Sequence, residues 1–293
     1  MKMEIKKQPS IANYQKMKIS SLSLDKDDLK KFCDTLQERS HAASEIEIGI
    51  LQQKEDESVE QFEKEKKIIK DAFELNITVS GKDGESLRGK INDVFSSVNF
   101  PEEVKSLYVD SESTLRNTHN YYASNLFKIF LDFNKPKIFD FSLMPSQGTP
   151  NGSNIEVNGY DPTWVNGVFS EIKKFVDSRS STLSIVHGHS IYDIILWVLG
   201  LPASFWVCNK LSTQINAMFS TNAFATNALY LYTFLVTLFI FRVLFHYLRW
   251  VCPLVEYRCK KNRMLAHKAT LVILGMGWLA QFIYDIAKWL VKT

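Results

Sequence analysis

Residues 224–245 read FATNALYLYTFLVTLFIFRVLF and contain one charged residue, Arg242, close to the end of the stretch. Residues 211–241 contain no charged residue at all. A run of about 20 apolar residues has the length that an α-helix needs to cross the hydrocarbon core of a bilayer. The sequence therefore predicts a membrane-spanning helix at 224–245.

Two flanking stretches are also apolar but carry polar residues. Residues 191–208 include Asp193, and residues 269–290 include Asp285 and Lys288. Both are marginal spans, of which the first is favoured more than the last, so the sequence predicts two or three spans in all. The alternative for each is an amphipathic helix that lies in the headgroup region.

The charged residues divide the chain near residue 185. Residues 1–185 hold 25 Lys and Arg and 29 Asp and Glu, whereas residues 186–293 hold 10 and 3. So few charged groups do not solvate the surface of a water-soluble domain of that length. The composition predicts a polar leader at 1–24, a soluble domain over 25–185 and a small α-helical transmembrane region over 186–293.

We expect the soluble domain to have an α+β fold that begins with a long helix after Asp25, which is a good N-cap residue. Apolar residues then recur at steps of three and four, as in an amphipathic helix: Leu29, Phe32, Leu36, Ala43, Ile46 and Ile50. Either one helix of about 45 residues or a helical hairpin broken near Gly49 fits this pattern. The helix lies on the domain's own sheet or, alternatively, forms a coiled-coil arm for oligomerisation.

From Phe73 the apolar period changes from 3.6 to 2, which is typical of β-strands. The strands predicted in this way are 73–79, 85–89, 104–110, 127–133, 138–143 and a short one at 155–157. A Gly-Lys-Asp-Gly turn at 81–84 joins the first two as a hairpin. Short connections predict a mainly antiparallel sheet with one buried face, on which a second helix packs after Asp161-Pro162.

The basic residues predict the orientation of the spans. Residues 242–268 hold seven Lys and Arg and one acid, Glu256, whereas residues 209–223 hold only Lys210. Since the cytoplasmic loops of membrane proteins are enriched in Lys and Arg, we expect 242–268 to be cytoplasmic. The N-terminal domain is then cytoplasmic as well, and residues 1–10 are too polar for a signal peptide.

The few polar residues in and near the spans are the candidates for function. They are His187, His189, Asp193, Arg242, Asp285 and Lys288. Two histidines and one carboxylate are a sparse metal signal, and Ser190, His189 and Asp193 lack the nucleophile-elbow pattern, so structural hydrogen bonding is favoured. The candidate partners of intramembrane Asp193 and Asp285 are Arg242 and Lys288. The favoured alternative is that Asp193 lies within one turn of the cytoplasmic edge, while Asp285 and Lys288 lie near the far edge and snorkel.

Five further basic residues are expected to bind anionic lipid headgroups, because they follow a predicted span. They are Arg249, Arg258, Lys260, Lys261 and Arg263. We expect no nucleic acid partner. No cofactor or metal is predicted, since the four cysteines form no C-x-x-C pair and the chain has neither H-E-x-x-H nor a P-loop.

Together these patterns predict a non-enzymatic integral membrane protein. Its cytoplasmic domain binds a partner or a signal, or assembles copies of the protein, while the helices anchor it or respond, as in a sensor or a membrane-perturbing effector. An accessory subunit of a membrane complex is the alternative. A membrane-bound hydrolase or metal enzyme is the least favoured interpretation.

Overall fold

The computed structural model describes residues 11–53, 57–119, 121–139, 148–180, 182–219, 221–259 and 264–292. The chain is mixed α/β and divides into two compact units. Unit 1 comprises Met1–Asn134, Asn151–Thr182 and Leu254–Cys259. Unit 2 comprises Lys135–Pro150, Leu183–Pro253 and Lys260–Thr293.

The described strands are β1 (Asn13–Lys18), β2 (Leu22–Leu24), β3 (Asn76–Gly81), β4 (Ser86–Lys90), β5 (Val104–Asp110), β6 (Asn125–Asp132), β7 (Asn154–Gly159) and β8 (Val255–Tyr257). The described α-helices are α1 (Lys26–Ile50), α2 (Val59–Ala72), α3 (Ile91–Ser96), α4 (Ser113–His119), α5 (Pro162–Asp177), α6 (Ile191–Ile195), α7 (Leu201–Lys210), α8 (Ser212–Met218), α9 (Ala223–Val251) and α10 (Met264–Lys292).

Unit 1 is built on a six-stranded antiparallel sheet with the strand order β1-β7-β6-β5-β3-β4. An apolar row crosses its centre, because Ile77 lies opposite Val109, Val109 opposite Ile129, and Ile129 opposite Ile155. All four side chains are fully buried. The alternation that predicted the strands therefore marks the buried face of the sheet, as a period of two requires.

Helices α1 and α5 contribute their apolar faces to the same core. The ring of Phe32 on α1 packs on the ring of Phe175 on α5, with 4.7 Å between the ring centroids. Both helices begin where the sequence predicts. Asp25 accepts a hydrogen bond from the Asp28 amide at 2.9 Å, and Asp161 caps α5 ahead of the proline in its first turn. The amphipathic-helix interpretation of α1 fits this burial better than an exposed coiled-coil arm does.

The helical hairpin is the alternative that the structure adopts after Asp25, since α1 ends at Ile50 and α2 begins at Val59. The predicted β-hairpin is present as well, with Gly84 at a positive φ of 92° that favours glycine. The strand predicted at 138–143 differs, because Ile138 and Phe139 lie outside any strand and residues 140–143 lie outside the described residues.

A second, two-stranded parallel sheet joins β2 to β8. The amide of Leu22 donates to the carbonyl of Leu254 at 2.9 Å, and the amide of Arg258 donates to the carbonyl of Leu24 at 2.7 Å. Val255 is fully buried in the core of unit 1. Six residues from the C-terminal part of the chain thus belong to unit 1, and β1 and β2 occupy the stretch that we interpreted as a leader.

Two helices in the described part of the chain are long and apolar enough to cross a membrane. The first, Ile191–Lys210, consists of α6, a π-helical turn (Leu196–Gly200) and α7. The second is α9. Only 22% of the apolar window of the first helix and 6% of that of α9 are buried. The third predicted span, 269–290, lies within α10.

Candidate functional site

His187 ends a short 3-10 helix, Thr182–His187, and is 3% exposed. Its Nε2 lies 2.5 Å from the Cys252 carbonyl oxygen, and its Nδ1 lies 2.8 Å from the Thr149 hydroxyl. Because a carbonyl only accepts, Nε2 carries the proton and Nδ1 accepts from Thr149. Burial lowers the pKa of His187 against the opposing hydrogen bond to Cys252, and Arg249 lowers it further. His187 therefore connects three segments of unit 2.

Arg249 is buried at the C-terminal end of α9. Its Nε donates to the Val186 carbonyl at 2.9 Å, and its guanidinium carbon lies 4.8 Å from the ring centroid of Phe245. Arg242 and His246 share this face of α9, since positions four and seven apart are neighbours on a helix. Arg249 is thus not the exposed headgroup ligand that the sequence predicts, because these contacts hold it inside unit 2.

His189 and Ser190 lie at the start of the first apolar helix. The Nδ1 of His189 lies 2.6 Å from the Ser190 hydroxyl, and Ser190 has a φ of 64°, in the left-handed region. Among the described residues, no hydrogen bond joins His189 to Asp193. These side chains are close in sequence, but the structure does not assemble them into a triad.

The two histidines do not share a metal site either. Both ring nitrogens of His187 are engaged by protein groups, while His189 is exposed. Within the described ranges, no three His, Cys, Asp or Glu side chains are placed to hold a metal ion.

Asp285 of α10 is the centre of a second polar cluster in unit 2. Its Oδ2 lies 2.8 Å from the Lys210 Nζ and accepts a hydrogen bond from the Trp206 Nε1 at 3.0 Å. The Gln281 side chain donates to Oδ1 at 3.3 Å. Lys210, not Lys288, is therefore the partner of Asp285. Trp206 and Lys210 are four residues apart at the end of a helix, which puts them on one face but does not identify the helix they meet.

An aromatic cluster joins the C-terminal end of α9 to the N-terminal end of α10. The Tyr247 hydroxyl lies 2.6 Å from the His267 Nδ1, and the rings of Trp250 and His267 are nearly perpendicular with centroids 5.4 Å apart. The side chain of Leu271 packs on the same end of α9. The two helices thus contact each other near this end.

Arg258 pairs with carboxylates at the start of α1. Its Nη2 lies 3.0 Å from Asp28 and 3.6 Å from Asp25, while Arg179 donates to Asp28 at 3.0 Å. Burial opposes ionisation of Asp28, but the hydrogen bonds and charges of its neighbours, Arg179 above all, lower its pKa overall. Arg258 therefore fixes β8 in unit 1. The other three predicted headgroup ligands, Lys260, Lys261 and Arg263, lie outside the described residues.

Glu47 is a buried carboxylate of unit 1 that sequence reasoning missed. It is fully buried on α1 and accepts hydrogen bonds from the Tyr121 hydroxyl at 2.6 Å and from the Ser124 amide. Burial and the Glu47 carboxylate both raise the pKa of Tyr121. The spacing of Glu47 on the buried stripe of α1 was the available signal, but a glutamate between Ile46 and Ile48 is usually solvated.

A cavity of about 580 Å³ opens on unit 1 between α1, α2 and α3. Charged side chains of both signs line it: Asp34, Asp71, Glu74 and Asp93 with Lys70 and Lys90. Some of these charges are used internally, since Lys90 pairs with Glu74 and Lys70 with Glu45.

Comparison with known protein families, with curated proteins and with solved structures finds no match for this chain.

Proposed function

We propose that this chain is an integral membrane protein in which the helices Ile191–Lys210 and α9 anchor unit 1 at the cytoplasmic face. One observation carries the proposal. The chain leaves unit 1 after Thr182, passes through both apolar helices, and re-enters unit 1 at Leu254, where β8 pairs with β2. An even number of crossings is required by this return, so the two helices cross the membrane as a hairpin or neither crosses.

The exposed surface of the two helices supports crossing. Large apolar side chains project from them, including Trp197 at 71% exposure and Phe224 at 83%. Water-soluble proteins rarely expose contiguous apolar surface of this extent, whereas lipid tails cover it without cost. A core helix of a soluble protein would be mostly buried, and α9 is not.

The charge distribution supports the cytoplasmic side. The basic stretch 242–268 includes β8, which pairs with β2 in unit 1, so positive-inside weighting of this stretch assigns unit 1 to the cytoplasmic side. Strand pairing thus links unit 1 to the basic stretch, and the charge of that stretch supports the side.

Within this architecture the proposed role is non-enzymatic. Unit 1 binds a partner or a signal, or assembles copies of the chain, and the helices anchor it or respond in the lipid. Two features support this role. The first is that His187 is engaged on both ring nitrogens. The second is that the chain continues from α9 into β8, which pairs with β2 in unit 1.

The test uses the full chain with reporters at residue 1, at Gln214 and at Lys260. An export-dependent reporter should be active only at Gln214, and the protein should resist extraction from membranes at alkaline pH. Activity of that reporter at Lys260, or release of the protein from membranes at alkaline pH, would refute the proposed membrane anchor. If the helices perturb the membrane, overproduction of the full chain should depolarise cells. Overproduction of residues 1–182 alone is the control and should not. A chain that is stable only with other subunits indicates the accessory role instead.

A further inference from the structure

Two sets of polar and aromatic contacts in unit 2 lie at two different levels along its helices. At one level, Tyr192 packs edge-on against Phe245 at 5.2 Å, and Tyr247 contacts His267 at 2.6 Å. This is the level at which α9 ends and the chain re-enters unit 1. We name it the near level.

At the other level, the far level, the end of the first apolar helix meets the two other long helices. Cys208 contacts the carbonyl of Tyr230 on α9 at 3.7 Å. Lys210 and Trp206 contact Asp285 on α10 at 2.8 and 3.0 Å. Every helix that reaches the near level therefore also reaches the far level.

The separation of the levels is the same along each helix. Residues 192 and 210 are 18 positions apart, 230 and 247 are 17 apart, and 267 and 285 are 18 apart. At a rise of 1.5 Å per residue, these separations are about 27, 26 and 27 Å. The hydrocarbon core of a bilayer is about 30 Å thick, and Tyr and Trp are enriched at both of its boundaries.

From this agreement we propose that α10 is a third membrane span, fixed at the far level by the ion pair between Asp285 and Lys210. The inference rests on the proposed membrane anchor but goes beyond it. It places the C-terminal end of α10 across the membrane from unit 1, and it gives Asp285 a positioning role in helix assembly.

The chemistry of the pair explains why a marginally apolar helix crosses. An isolated carboxylate is costly within a bilayer. Asp285 receives an ammonium group and two neutral hydrogen-bond donors, from Trp206 and Gln281. Its side chain is 14% exposed, whereas that of Lys210 is 49% exposed, so the ammonium keeps access to the aqueous boundary while it neutralises the acid.

The test places an export-dependent reporter after Thr293 of the full chain, alongside the same reporter at Gln214. Both should be active in the wild type. If the reporter after Thr293 is inactive and the one at Gln214 is active, the third span is refuted and the two-helix anchor stands. If both are inactive, the anchor itself fails.

Charge reversal tests the ion pair. Asp285→Lys and Lys210→Asp should each lower the export of the C-terminal reporter, and the double exchange should restore it. Interhelical polar contacts in membranes correspond to losses of roughly threefold to roughly twentyfold. Activity at Gln214 and protein abundance, measured in each variant, correct for folding failure. Failure of the double exchange to restore export would overturn the pairing.

Lys288→Asp is the matched control, because Lys288 is exposed on the same helix and makes no ion pair among the described residues. It should leave export of the C-terminal reporter unchanged. If Lys288→Asp lowers export as much as Asp285→Lys does, charge reversal anywhere near the end of α10 lowers export. That result would overturn the specific role of Asp285.

Discussion

Substitution of Val255 by alanine tests whether β8 belongs to the core of unit 1. Val255 is fully buried there, so the substitution removes two buried methyl groups and leaves a small cavity. At about 0.8 kcal/mol per methyl-sized group, with a contribution from the cavity, the free energy of unfolding should fall by about 2 kcal/mol. With a urea slope of about 2 kcal/mol/M, the midpoint should fall by about 1 M.

The assay is urea unfolding of unit 1 on its own, with residues 1–182 joined to 254–259 by a Gly/Ser linker. The junction is short, since Arg179 and Leu254 both hydrogen-bond to β2. The matched control is Val98→Ala, because Val98 is 98% exposed and the same change there should shift stability by less than about 0.5 kcal/mol. Equal midpoints for Val255→Ala and Val98→Ala would refute the placement of β8 in this core.

Three further outcomes are expected. Folding lowers the pKa of Asp28, so the stabilisation of unit 1 by this carboxylate is present above about pH 4 and is lost as the pH falls through the lowered pKa. The free energy of unfolding of unit 1 should therefore depend less on pH in the acid range in Asp28→Asn. Tyr121→Phe removes a donor from buried Glu47 and should cost about 1–3 kcal/mol in urea unfolding, whereas Tyr108→Phe, at a partly exposed site, should cost less than about 1 kcal/mol. Ser190→Gly should relieve about 1 kcal/mol of left-handed strain and raise the melting temperature of the detergent-purified full chain, and an unchanged or lower melting temperature would contradict this.

The elements that sequence reasoning identifies are those with strong local signals. The strand predicted at 104–110 matches β5, and α5 begins at the predicted Asp161-Pro162. In both cases the determining residues lie within one element, as an apolar alternation or as a cap followed by proline. Periodicity and capping are local properties, so they can be read without knowledge of the fold.

The elements that sequence reasoning misses depend on residues that are distant in the sequence. In β1, only Met17 of the inward-facing positions is apolar, because an edge strand at the end of a sheet packs against little core. Strands β2 and β8 have three residues each and are separated by 230 residues, so no local pattern marks their pairing. The partner of Asp285 was missed for the same reason, since Lys210 is 75 residues away.

The packing of the two apolar helices argues for a lipid environment on grounds other than hydropathy. A Cβ atom added at Gly200 would lie 2.8 Å from a Leu196 side-chain atom and 3.0 Å from the ring of Phe241, so the helix around Gly200 approaches α9 closely. Ala203 and Ser204, also small, are buried on the same helix. In water, apolar helices associate by removing large side chains from solvent, yet most of α9 stays uncovered. In lipid, covering a large apolar side chain brings little gain, and helix interfaces are enriched in small residues that let the backbones approach closely. Close contact at Gly200, together with a largely exposed α9, is therefore the combination expected for helices that lie in a lipid bilayer.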